Sequence, residues 1–167
     1  LVQNNPTDTT KLIDMAKQCE ESALEIKGIT NSEGSGSSFS ESEFFIANSK
    51  GFSGGYRSST NSISCSVIAG EGQLMERDYD YAVSRHIDDL SSPSEVGKSS
   101  AKKAIQRLSP RKIESCKTPV IFDKRISDDL IGYLASAVSG NSIARGTSFL
   151  KDSLNKQIFS KDINIID

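Results

Sequence analysis

Residues 62–69 of the chain alternate with a period of two. Ile63, Cys65, Val67 and Ala69 take the odd positions, and Ser62, Ser64 and Ser66 take even ones between them. Successive side chains of a strand point to opposite faces, so this run sets four apolar groups on one face and a row of hydroxyls on the other. A helix would mix the two sets around its axis. The chain must therefore build a sheet with one face covered and one face wet.

Flanking segments extend the pattern. Residues 73–85 set Met75, Tyr79, Tyr81 and Val83 on one face and Glu76, Asp78 and Asp80 on the other. Gly70-Glu71-Gly72 between the two runs suits a hairpin connection. Residues 37–48 carry Phe39, Phe44, Phe45 and Ile46 and end at the turn signal Asn48-Ser49-Lys50-Gly51. The expectation is a meander of three long antiparallel strands, with the apolar face packed on helices and the polar face open.

Helices flank this sheet in sequence. Leu12, Met15, Ala16, Cys19, Ala23 and Ile26 recur at three- and four-residue steps behind an N-cap at Asp8 and before a stop at Gly28. Ser92-Pro93-Ser94-Glu95 reads as a capping box with proline at the first helical position, followed by a stripe of Val96, Ala101, Ala104, Ile105 and Leu108. A basic connector spans residues 111–117. Beyond it, Thr118-Pro119-Val120-Ile121-Phe122-Asp123 reads as a short strand. A helix capped by Ser127 or Asp128 follows, with Leu130, Ile131, Leu134, Ala137 and Val138 inward and Gly140 at its end. A short helix and irregular chain (141–154) and one or two strands (156–166) complete the reading. The fold class is α+β: residues 1–110 form a helix, three long antiparallel strands and a helix, and 118–167 open a second α/β-type segment. Leu1 without an initiator Met, and Ile165-Ile166-Asp167 inside a strand pattern, indicate a piece of a longer protein.

Bulk properties narrow the function classes. Basic and acidic residues nearly balance at 20 and 22, which argues against a dedicated nucleic-acid binder. No run of about 18 apolar residues is present to span a membrane. Cys19, Cys65 and Cys116 form no Cys-x-x-Cys pair and read as three buried or half-buried reduced thiols of a cytosolic protein.

Candidate chemistry is sparse. Gly97-Lys98-Ser99 resembles the end of a phosphate-binding loop, but Ser92 stands where the first glycine belongs. Gly34-Ser35-Gly36 lacks a third glycine and reads as a turn. His86 is the only histidine; followed by Asp88 and Asp89, it falls short of the three-ligand set of a catalytic zinc. Asp88-Asp89 and Asp128-Asp129 read as helix-entry or solvated charges. Lys98, Lys102, Lys103, Arg107, Arg111 and Lys112 read as a solvated basic face, with phosphate attraction as the alternative. The residues thus assign no catalytic, metal or cofactor site, and leave peptide contacts unassigned.

The order of segments nevertheless resembles a known family. Glu33-Gly34 enters a strand; Ala47-Asn48-Ser49-Lys50-Gly51-Phe52, a serine-rich strand and a Tyr-bearing partner strand follow. Then come Glu95-Val96-Gly97 on a helix, Thr118-Pro119-Val120-Ile121-Phe122, and Gly140 with Arg145-Gly146-Thr147-Ser148-Phe149-Leu150. This order is similar to the TldD/PmbA family, in its PmbA (TldE) branch. The resemblance implies a cytoplasmic metalloprotease system acting on unfolded peptides, in which a TldD subunit bears a His-Glu-x-x-x-His zinc motif on a helix. Two imidazoles beside a carboxylate suit amide hydrolysis. The resemblance implies that the PmbA branch lacks this motif and pairs with TldD as a heterodimer. Here the motif positions are Ala135, Ser136 and Gly140, none able to hold zinc. The chain is therefore expected to be a non-catalytic subunit with a TldD-like partner and an unfolded peptide substrate, zinc residing only in the partner. A DNA-gyrase-modulating binding module without peptidase role is the alternative, and a homo-oligomer is a further expected form.

Overall fold

The computed structural model describes residues 2–166. It divides into two compact units, Leu1–Ile113 and Glu114–Asp167.

The first unit is a three-stranded antiparallel sheet of order β1-β2-β3 with two helices. The elements are α1 (Thr9–Leu24), β1 (Ile29–Ala47), β2 (Ser53–Ala69), β3 (Glu76–Ser84) and α2 (Pro93–Gln106). Asp8 caps α1 by accepting from the Thr10 amide. Ser92 and Glu95 form a reciprocal capping box at the start of α2, with Pro93 in its first turn. Both helices pack on the sheet, α1 over β1 and β2 and α2 over β2 and β3. The core between them is Cys19, Ala23, Ile63, Cys65, Val67, Ala69, Val96, Ala101 and Ala104. The odd positions of β2 therefore face the helices, as the alternation requires.

Strands β1 and β2 are longer than their apolar patterns suggest. The Gly34-Ser35-Gly36 stretch lies inside β1 and forms no turn. The register shifts between Ser32 and Gly34, and Gly34 takes a φ of 121°, so the glycine absorbs a bulge that carries the strand back to Ile29. At the other end Asn48 organises the hairpin. Its side-chain oxygen accepts from the amides of Lys50 and Phe52, and Gly51 turns with a φ of 89°.

Strand β3 corrects the expected assignment of faces. Cross-strand neighbours share a face, and the register pairs Cys65 with Asp80, Val67 with Asp78 and Ala69 with Glu76. The acidic set thus lies on the helix side, and Tyr79, Tyr81 and Val83 lie on the open side with Ser66, Ser64 and Ser62. Helix α2 makes this tolerable. Lys103 Nζ lies 2.8 Å from Asp80, and Arg107 reaches Glu76 at 3.4 Å and Asp78 at 3.7 Å. Two members of the expected solvated basic face are therefore committed to an ionic seam, whereas Lys98 and Lys102 are exposed.

The second unit contains α3 (Asp128–Val138) and α4 (Gly140–Ala144). Residues 118–123 and 156–166 form no strand. A strand needs a partner to satisfy its amides and carbonyls, and these segments pair with no other described segment; Ile121 is 97% exposed. Leu130, Ile131 and Val138, expected inward, are about half exposed, and Ala137 is the buried residue of α3. Gly140 opens α4 instead of closing α3, because Ser139 at ψ 129° has already broken the helix.

Candidate functional site

Helix α3 carries the positions at which the resemblance would place a metal motif. Asp128 and Asp129 occupy its first turn, where carboxylates complement the helix dipole. Ser127 stands at the N-cap without making a capping bond; its hydroxyl donates to the Lys124 carbonyl. At the far end, the buried Ser148 hydroxyl donates to the Ala137 carbonyl at 2.6 Å, satisfying one of the helix's last carbonyls. The same oxygen accepts from the Leu150 amide at 3.0 Å. Ser148-Phe149-Leu150 thus folds back to fix the C-terminal turn of α3.

Ala135 and Ser136 lie exposed in α3, while Gly140 lies beyond the break at Ser139. A methyl, a hydroxymethyl and a hydrogen offer no nitrogen, thiolate or carboxylate donor, so these positions do not fit a zinc ion. Among the described residues no group of three His, Cys, Asp or Glu side chains converges. The metal that a metallopeptidase fold implies therefore has no fitting donor set at these positions.

The other sequence candidates are dispersed. His86 precedes a single 3₁₀ turn, Ile87–Asp89, in which Asp88 and Asp89 are exposed. Its carbonyl accepts from the Ser84 hydroxyl. Gly97 sits in the interior of α2, where a Cβ would stand 2.1 Å from the Cys19 carbonyl oxygen. It is a helix-crossing glycine, and the phosphate-loop likeness ends there. Cys19 and Cys65 meet in the core. A hydrogen bond from the Cys19 thiol lowers Cys65 to about 7 against the burial that raises it, and the same bond, with burial, pushes Cys19 up. Cys116 is exposed, contrary to the expectation of three covered thiols.

What sequence reasoning missed is a polar clamp at the end of the sheet. Ser59 and Asn61 are fully buried on β2. The Ser59 hydroxyl accepts from the Gln3 amide and donates to the Arg85 carbonyl. Asn61 receives the Thr7 hydroxyl and donates to Gln3 and to the Arg85 carbonyl. Their odd positions continue the buried set, which is the signal that could have found them.

The open side of the sheet is the other surface available for recognition. Ser38 and Ser62 pair at 2.8 Å, and Ser42 and Ser58 at 3.0 Å, so hydroxyls tile the middle of this face. Glu33 sits at its bulged end. Hydrogen bonds from Ser66 and Arg77 hold its carboxyl below the usual range. β1 forms one edge of the sheet along its whole length; the other edge is β3 opposite residues 61–69 of β2 and β2 itself beyond them.

Comparison with known proteins fits this architecture. The PmbA/TldA metallopeptidase central domain matches residues 4–108, and the PmbA/TldA metallopeptidase C-terminal domain matches residues 115–167. The chain is 42% identical over 147 residues to a protein of Escherichia coli O157:H7 named metalloprotease PmbA, covering 87% of this chain and 33% of that protein. A metalloprotease PmbA homolog of Haemophilus influenzae is 40% identical over 152 residues, covering 90% and 34%. The chain thus spans about a third of the length of these relatives. Among solved structures, a proposed modulator of DNA gyrase from Bacteroides thetaiotaomicron is similar with a TM-score of 0.79 at 28% identity, covering 91% of this chain and 35% of that one. A Thermotoga maritima protein with a like description shares the fold, with a TM-score of 0.81 at 24% identity over 90% of this chain and 35% of that one. The two family matches, one on each compact unit, place the chain in the PmbA/TldA metallopeptidase family.

Proposed function

We propose that this chain belongs to a supporting, non-catalytic subunit of a TldD/TldE-type metalloprotease system that degrades or processes unfolded peptides in the cytosol. The observation that carries the proposal is the donor chemistry at Ala135, Ser136 and Gly140, where no side chain can ligate zinc or hold a metal-bound water. Hydrolysis then belongs to a TldD-like partner, and the contribution of this chain is to shape and line the chamber. The long edge of β1 suits that role, because an extended peptide adds its backbone hydrogen bonds to an unpaired strand edge whatever its sequence. No helix is long and apolar enough to cross a membrane among the described residues.

The test uses the full-length gene product, purified with and without a TldD-type protein. Peptidase activity on a casein-derived unfolded peptide is expected only in the mixture, with the two proteins co-eluting. Chelator-sensitive cleavage by the full-length product alone would refute the supporting role. Co-purification with gyrase and with no TldD-type protein would favour the modulator reading suggested by the names of the structural relatives.

A further inference from the structure

Cys19 and Cys65 are distant in sequence and meet in the core of the first unit. Cys19 lies on the inner side of α1 and Cys65 at an odd position of β2, and they are 0% and 1% exposed. The Cys19 thiol donates a hydrogen bond to the Cys65 sulfur. Ser35, the cross-strand neighbour of Cys65 on β1, is also within hydrogen-bond reach of Cys19, so Cys19 stands over this point of the sheet. A disulfide spans only about 4–7 Å between Cα atoms, which demands a close approach of helix and strand. Small neighbours provide it. Ala23, Ala101 and Ala104 share this core, Ser100 of α2 adjoins Cys65, and Gly97 lets α2 pass against the Cys19 carbonyl. Among the described residues no third His, Cys, Asp or Glu joins the two thiols, so the pair does not fit a structural zinc.

We propose that Cys19 and Cys65 are a redox pair, which hydrogen peroxide converts to a disulfide that locks α1 onto β2. The oxidant must be small because both sulfurs are covered, and hydrogen peroxide is little larger than water. The Cys65 sulfur attacks one peroxide oxygen; the S–O bond forms, the O–O bond breaks, and the released hydroxide takes the thiol proton to become water. The Cys19 sulfur then attacks the Cys65 sulfenic sulfur. The S–S bond forms, the S–O bond breaks, and the departing hydroxide leaves as water with the Cys19 proton. Two thiols lose two electrons in all, and one peroxide is reduced to two waters. The asymmetry of the pair assigns these roles. The hydrogen bond from Cys19 lowers Cys65 to about 7, which makes it the nucleophile near neutral pH, while the same bond and burial push Cys19 up and keep it a thiol until the second step. The segment that the bond closes holds the end of α1, all of β1 and most of β2, so the lock constrains the unfolded chain strongly.

The test treats the native Cys116→Ser chain with hydrogen peroxide, so that the exposed thiol cannot cross-link two copies. A non-reducing digest read by mass spectrometry is expected to join the peptides that hold Cys19 and Cys65, and the urea midpoint is expected to rise by about 1–2 M. Dithiothreitol should return both readings, which separates the disulfide from oxygen added to Met15 and Met75. Cys19→Ser and Cys65→Ser, each placed in the same background and compared with itself before and after peroxide, should show no rise. The proposal is overturned if no cross-linked peptide forms in the native chain or if it forms only in urea. It is overturned equally if Cys65 passes to sulfinic acid without a cross-link, or if the cross-link leaves the midpoint unchanged or lower.

Discussion

Replacing Gly97 by alanine is expected to loosen the crossing of α1 and α2. A Cβ at this position would lie 2.1 Å from the Cys19 carbonyl oxygen, 3.1 Å from its carbon and 3.2 Å from the Ala23 nitrogen. All three atoms are helix backbone, so no side-chain rotation relieves the contact. The helices must separate by about 1 Å to restore an ordinary carbon–oxygen contact, and a gap of that size forfeits a quarter to a half of each affected dispersion contact. Ala23, Val96, Ala101 and Ala104 lose contact together. Overpacking of this kind costs about 1–3 kcal/mol, and the rigidity of the obstacle favours the upper end. Alanine returns about 1 kcal/mol in helix propensity, which leaves a net loss of about 2 kcal/mol. Urea unfolding followed by circular dichroism reads this as a midpoint lowered by about 1 M at unchanged slope. Gly36→Ala in β1 is the control: a Cβ there meets nothing within 4 Å, so its midpoint should hold or rise slightly. A Gly97→Ala midpoint equal to or above wild type would refute the reasoning.

Other perturbations test the remaining contacts. Asn61→Ala removes the acceptor of the Thr7 hydroxyl and one of the donors to the Gln3 side chain, so stability should fall by about 1–3 kcal/mol, and limited proteolysis should release the residues before α1 faster. For Asp80, burial opposes ionisation, yet hydrogen bonds from Lys103 and Ser99 outweigh it and hold the carboxyl below its usual range. Its stabilisation is therefore complete above the ordinary carboxylate pKa and lost as pH falls through the depressed one. Asp80→Asn should lower stability at neutral pH and flatten the acid limb of a stability–pH curve; an unchanged limb would count against the ionic seam. Iodoacetamide should label Cys116 in the native chain and all three thiols in urea, as read by mass spectrometry. Ser148→Ala should unsatisfy the Ala137 carbonyl, with fraying of the last turn of α3 measured by amide exchange.

What was legible in the sequence followed from local signals with few competitors. The capping box at Ser92 and the odd-position stripe of β2 each state their structure within eight residues. The glycines were harder to read. Gly34 and Gly36 look like a turn because glycine permits one, but pairing with Ser66 and Ser64 keeps them in a strand. The same holds for Gly54 and Gly55 in β2, where small residues offer no propensity and only the partner strand specifies extension. Residues 118–123 failed in the opposite direction. Their β-branched and aromatic composition is suited to a strand, but no described segment pairs with them, and a strand pattern without a partner specifies nothing. At the candidate site, residue identities could be read directly, but the break at Ser139 could not.

The assignment of faces in β3 decides which side chains reach the open surface. Burying Tyr79, Tyr81 and Val83 looks favourable when the strand is taken alone. The sheet has one register, however, and a shift of a single residue would turn every side chain over. That shift would expose the acidic set and detach Asp80 from Lys103 and Asp78 from Arg107, leaving two cations of α2 partly covered without partners. It would also set Tyr79 and Tyr81 against the closely packed Cys19–Cys65 region, where small residues let the helices approach. Two features that looked independent in the sequence, a basic helix and an acidic strand, are therefore one seam. The seam sends the tyrosines outward, onto the same face as Phe44, Phe52 and Tyr56. The apolar surface on the open side of the sheet is thus a consequence of how the covered side is held together.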